Sequence, residues 1–142
     1  EYMLLKTMNN KLVRDNSHKW GEFLEVPVTE RFIMRSIRIF DGGKSSIHRH
    51  ETTELLTVES GTIICLKGFG EANLIEYILN EGDTIFIDAF EWHRIEYVKG
   101  EFKEENVSFA QIVELMFGDN KNGDYFIDRF KDAKPSKKWL SR

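Results

Sequence analysis

A single cysteine and two prolines are all that a chain of 142 residues contains of either. One thiol, Cys65, excludes an internal disulfide, so cohesion has to come from packing. Its setting in "TIICLKG" reads as a small apolar strand position and not as a nucleophile. With proline confined to Pro27 and Pro135, most of the chain is open to strand ladders, which proline interrupts. No apolar run approaches the roughly 20 residues of a membrane span. A charged, apolar, small-residue leader is also missing from the start. No membrane partner and a cytoplasmic setting are therefore expected. Positive charge is in deficit as well: 20 Lys and Arg stand against 24 Asp and Glu, for a net charge of -4. A nucleic-acid partner is not expected on that balance. The one basic cluster, "KPSKKWLSR", reads as a solvated tail.

What the chain does have is aromatic and β-branched residues in short runs punctuated by glycine. "RFIMRSIRIF" ends at "DGGK", "ELLTV" runs into "ESG" and then "TIICLKG", "NLIEYIL" into "NEGD" and "TIFIDAF", and "HRIEYV" into "KGEF" and "VSFAQIVELMF". Runs of this length between turn signals predict an all-β fold, an antiparallel β-barrel or jelly roll. Residues 1–18 read as an N-terminal arm, 19–118 as the barrel and 119–142 as a turn-rich tail. A short helix in that tail would pack Phe126, Ile127 and Phe130 on the barrel.

The chemistry concentrates in "IHRHETTELLTVESG". Residues two apart on a strand point to the same face, so His48 and His50 project together, and Glu54 follows beyond a bend. Imidazole and carboxylate suit Zn, Fe, Mn or Ni. A lone His-x-His pair is also a common exposed polar pair, so the rest of the chain must decide. Gly42 and Gly61 frame this segment as G-x5-H-x-H-x3-E-x6-G, and "GDTIFIDAFEWHRIEY" opens at Gly82 and delivers His93. Gly61 is expected in a tight turn with a backbone that a side chain would strain.

This pair of motifs resembles the cupin family, whose two motifs bracket a small β-barrel and supply three His and one Glu to a metal. The resemblance implies His48, His50, Glu54 and His93 as ligands of one divalent ion. It departs at Asp88, Phe90 and Tyr97, where the family has proline, glycine and asparagine. "KWGEFLEV", "IFIDAFEWHRIEY", "IVELMFG" and "GDYFIDRFKD" further resemble the cupin part of type II mannose-6-phosphate isomerases, from Lys19 to about Asp132. Thr52 stands where those isomerases have an Arg, a natural phosphate or sugar ligand, and Leu55 and Leu56 stand where they have His-Trp.

The resemblance implies a metal-dependent sugar or sugar-phosphate isomerase with a small-molecule substrate, and a homodimer, since small cupins commonly pair through sheet edges. The ion would polarise a carbonyl as a Lewis acid. A base for proton abstraction is not named by the sequence; Glu114, Glu96 and Arg129 are the candidate catalytic residues by type. Arg35 and Arg38 are the candidate substrate-binding cations, Arg35 falling where the family has a Lys. Two other readings stay open: an iron dioxygenase using the same ligand set, and a non-catalytic sugar-binding cupin. His18, in a polar stretch, is given no role.

Overall fold

The computed structural model describes residues 12–99, 109–119 and 123–126. Among these residues there is no helix, and so none long and apolar enough to cross a membrane. The strands are β1 (Val13–Asp15), β2 (Gly21–Thr29), β3 (Phe32–Phe40), β4 (His48–Arg49), β5 (Thr53–Ser60), β6 (Ile63–Gly68), β7 (Ile75–Leu79), β8 (Thr84–Ile87), β9 (Trp92–Tyr97), β10 (Phe109–Phe117) and β11 (Tyr125–Phe126). They form one sheet of order β1-β2-β3-β10-β5-β8 and a second of order β11-β4-β9-β6-β7. Every pairing is antiparallel. This is the expected all-β jelly roll.

Period-two patterning explains which faces meet. In β10, "FAQIVELMF", Ala110, Ile112, Glu114 and Met116 are buried and alternate with more exposed neighbours. Ile37 and Ile39 of β3, Leu56 and Val58 of β5, Ile63 and Cys65 of β6, Ile85 and Ile87 of β8, and Ile95 and Tyr97 of β9 complete the core between the sheets. A smaller cluster of Ile47, Leu66 and Trp92, with Leu74 against it, lies apart from that core. Cys65 is fully buried, and burial, the largest effect, pushes its thiol up to about 12. At that value it is a packing residue.

Two local expectations are revised. Part of the anticipated N-terminal arm is a strand, because β1 pairs with β2 from Val13↔Glu25 to Asp15↔Phe23. Phe126, expected in a helix, is in β11, where it pairs with His48. Backbone pairing on β4 takes its hydrogen-bonding groups in place of a helical turn. Ile127 and Phe130 lie outside the described residues.

The β5–β6 turn shows why its glycine is needed. Gly61 has φ +86°, and a Cβ there would sit 3.0 Å from Ala110 Cβ and 3.1 Å from Ala110 Cα. Gly42 has φ +74° but nothing within 4 Å of an added Cβ. Gly42→Ala therefore bears only the left-handed backbone cost, about 1 kcal/mol. Gly61→Ala adds a clash against buried backbone, for a total of about 2–4 kcal/mol. Urea unfolding of both variants checks this, and equal midpoints would remove the packing role assigned to Gly61.

Candidate metal centre

Residues from both sheets build the site. His48 of β4 and His93 of β9 are direct cross-strand partners in the second sheet. His50 follows immediately after β4, and Glu54 comes from β5 in the first sheet. All four are buried, none more than 6% exposed. The three imidazoles converge: ring centroids are 4.3 Å apart for His48–His93, 5.0 Å for His50–His93 and 5.7 Å for His48–His50. One nitrogen from each lies within 4.8 Å of the others. Glu54 closes the cluster, with Oε1 2.5 Å from His50 Nε2 and Oε2 3.4 Å from His93 Nε2.

The rings are oriented by backbone carbonyls. His48 Nδ1 lies 2.9 Å from Ser46 O, His50 Nδ1 3.1 Å from Thr52 O, and His93 Nδ1 2.8 Å from Glu91 O. A carbonyl only accepts, so each Nδ1 carries the proton and each Nε2 is turned toward the cluster. Nε2 of His50 and of His93 are buried without an aligned hydrogen bond, despite the Glu54 oxygens near them. Buried polar atoms left in this state cost free energy unless a further group binds them. The donor set and its aim fit a divalent ion, and backbone-held Nδ1–H groups are the usual outer support of metal-bound histidine.

Electrostatics favour the same use. Burial, reinforced by the neighbouring His93 and His50, holds His48 well below its ordinary value of 6.5, so its imidazole is uncharged at neutral pH. Burial alone would raise Glu54, but His50 and His93 beside it outweigh burial and hold it well below the usual carboxylate value. Burial would likewise lower His93, but the Glu54 charge and hydrogen bonding raise it above 6.5.

Two departures from the cupin pattern, Asp88 and Phe90, and one from the isomerase pattern, Thr52, have local explanations. Thr52 is buried, and its hydroxyl lies 2.7 Å from His50 Nδ1, so this position supports the His50 ring and offers no cation. Asp88 N donates to Glu91 Oε1 at 3.1 Å, a bond proline could not make. Glu91 Oε1 also accepts from Lys67 Nζ at 3.3 Å, and Glu91 O in turn holds His93. Phe90 takes φ +62°, where glycine would be unstrained, and its N–H donates to His50 O at 2.8 Å. The turn keeps the left-handed geometry without the glycine.

A pocket of about 400 Å³, counting its open mouth, adjoins the cluster. Trp20, Phe23, Arg35, Ile37, Ser45, Leu56, Ile95 and Glu114 line it together with His48, Glu54 and His93. Arg35 and Glu114 are thus brought to the cluster. Arg38 and Glu96 are not. Arg38 lies beside Glu22 at 3.6 Å with its side chain 51% exposed, and Glu96 beside Arg94 at 3.8 Å. Arg129 lies outside the described residues. Trp20, Phe23 and Ser45 were not anticipated as pocket residues; only strand parity from Arg35 through the β2–β3 register could have pointed to Phe23. His18, given no role, stacks on Trp20 at 4.8 Å and pairs with Asp15 at 3.5 Å.

Residues 37–102 match the family model described as Cupin domain. The sequence matches none of the curated proteins with which it was compared. Solved structures share the fold at low identity. A Bacillus subtilis oxalate decarboxylase variant aligns with TM-score 0.60 and 16% identity over 78% of this chain and 28% of that one. The present chain thus spans less than a third of that decarboxylase. A cupin-superfamily sugar phosphate isomerase from Silicibacter pomeroyi aligns with TM-score 0.62 and 16% identity over 83% and 78% of the two chains. The hydroxypropylphosphonic acid epoxidase of S. wedmorenis aligns with TM-score 0.59 and 16% identity over 75% and 56%.

Ligation needs His93 without its proton. Because His93 is raised above 6.5, protons compete with metal from above that pH, and affinity falls steadily as pH drops. His48, already neutral, adds no competition in that range. Zinc titration by calorimetry at several pH values is expected to show proton release on binding at neutral pH. Thr52→Val, which keeps the backbone carbonyl but removes the hydroxyl, is expected to weaken zinc by about tenfold. Affinity independent of pH, or unchanged in the variant, would contradict this account of the rings.

Proposed function

We propose that this chain is a cupin and a metal-dependent enzyme acting on a small hydroxycarbonyl substrate, a sugar or sugar-phosphate isomerase. The observation that carries the reading is the convergence of three backbone-oriented imidazoles and Glu54 at the wall of a small-molecule pocket that also holds Arg35 and Glu114.

His48, His50, His93 and Glu54 would hold one divalent ion. Such an ion, when bound, supplies Lewis-acid polarisation of a carbonyl. The chain's own residues supply the rest. Trp20, Phe23, Ile37, Leu56 and Ile95 give the pocket apolar walls that exclude water and strengthen polar contacts inside it. Arg35 carries guanidinium donors that orient a substrate oxygen. Glu114, on the pocket wall, would take a proton from carbon and return it to the neighbouring one, as an aldose–ketose exchange requires. Its Oε1 lies 3.4 Å from Arg35 Nη1.

Elemental analysis of the freshly purified protein beside His50→Ala and His93→Ala tests the reading. The wild type should hold about one divalent ion per chain, and both variants should lose most of it. The metal-loaded wild type should interconvert an aldose and its ketose, while Glu114→Gln keeps the metal and loses activity by about 100-fold or more. Equal metal in all three proteins would remove the site. Oxygen uptake with Fe(II) in place of isomer formation would assign it to a dioxygenase, and sugar binding without turnover to a binding protein.

A further inference from the structure

The pocket's charge is arranged in a row across the first sheet. Glu25 is the register partner of Arg35, Arg35 of Glu114, and Glu114 of Leu56. Cross-strand partners share a face, so these side chains point inward together. Arg35 is 3% exposed. Its Nε donates to Glu25 Oε1 at 2.8 Å, Nη2 lies 2.7 Å from the same oxygen, and Nη1 lies 3.4 Å from Glu114 Oε1. Nη2 is buried without an aligned hydrogen bond of its own. Glu54 stands two residues from Leu56 on β5, so Glu114 and Glu54 occupy diagonal positions, about 7–8 Å apart in backbone terms.

Arg35 is the one Lys or Arg among the described residues lining the pocket, against Glu54 and Glu114. Its charge is shared between Glu25 and Glu114. A guanidinium offset in this way suits a neutral hydroxyl or carbonyl oxygen and not a phosphate dianion, which needs a net positive setting. Arg38, the other candidate cation on β3, pairs with Glu22 and is half exposed away from this row.

We infer that the pocket takes an unphosphorylated hydroxycarbonyl compound, an aldose or ketose, and discriminates against its phosphate ester through the Glu25–Arg35–Glu114 row. This rests on the pocket being a substrate site, as proposed above, and narrows its substrate class. Glu25 and Glu114 act as charge gates: each neutralises part of Arg35 and repels a second anion.

Calorimetry with mannose, mannose 6-phosphate and inorganic phosphate tests the inference. Metal-loaded wild type should bind mannose at least as tightly as its phosphate ester. Inorganic phosphate should bind Glu114→Gln at least about tenfold more tightly than wild type, since removing one charge a few ångströms from the anion changes its energy substantially. Glu25→Gln should move phosphate affinity in the same direction, which covers the case in which the Glu114 variant fails to fold. The phosphate comparison is run with and without metal, so its outcome is separate from whether the metal reading survives. Tighter binding of the ester than of mannose by the wild type would overturn the inference. So would unchanged phosphate affinity in the folded variants. If neither sugar binds, the phosphate comparison alone decides.

Discussion

Three short hydrogen bonds organise this molecule's chemistry: Nδ1 of His48, His50 and His93 each facing a main-chain carbonyl two residues away. A carbonyl cannot donate, so each bond fixes both a tautomer and a ring orientation. The side-chain entropy of three imidazoles is removed before any ligand arrives, which is what gives a preorganised site its affinity. The carbonyls themselves are placed by strand ends and turns. Ser46 precedes β4, Thr52 precedes β5, and Glu91 precedes β9. The orientation of the three rings is thus a property of where the strands begin.

The same dependence runs outward. Glu54 reaches the cluster from the opposite sheet, so the two sheets must hold their separation for the ligand set to close. A carboxylate this buried is tolerable only because His50 and His93 offset the loss of hydration. The turn carrying Glu91 is held by Asp88 N–H and Lys67, and its Phe90 N–H ties back to His50 O. Phe90 accepts a left-handed backbone to make that tie, a local strain compensated by the surrounding bonds. The first sheet adds the Glu25–Arg35–Glu114 row beside the cluster, so one cavity holds a soft-ligand corner and a compensated ionic corner.

Much of this was legible in the chain. Alternating apolar runs and glycine-marked turns announce the all-β fold, and His48, His50, Glu54 and His93 stand at spacings that suggest a shared site. Period two also carried information that residue type alone does not. Arg35 and Arg38 are three apart on β3, as are His93 and Glu96 on β9, and an odd spacing sends the second of each pair to the opposite face. Glu114 was a candidate by type, but its position beside Arg35 depends on the pairing of β10 with β3, nearly eighty residues apart in sequence. Trp20 and Phe23 enter the pocket for the same long-range reason. The strand at Phe126 depends on β4 offering an unpaired edge, a fact of assembly that no local propensity encodes.

The central claim is that the three histidines present Nε2 to a common point. Long-range proton–nitrogen NMR on zinc-titrated protein reads the tautomer and metallation of each ring directly. The account predicts that His48, His50 and His93 all carry the proton on Nδ1 and that Nε2 of all three shifts together as one equivalent of zinc is added. A ring protonated on Nε2 in the zinc-saturated protein, or three rings that shift independently, would contradict it.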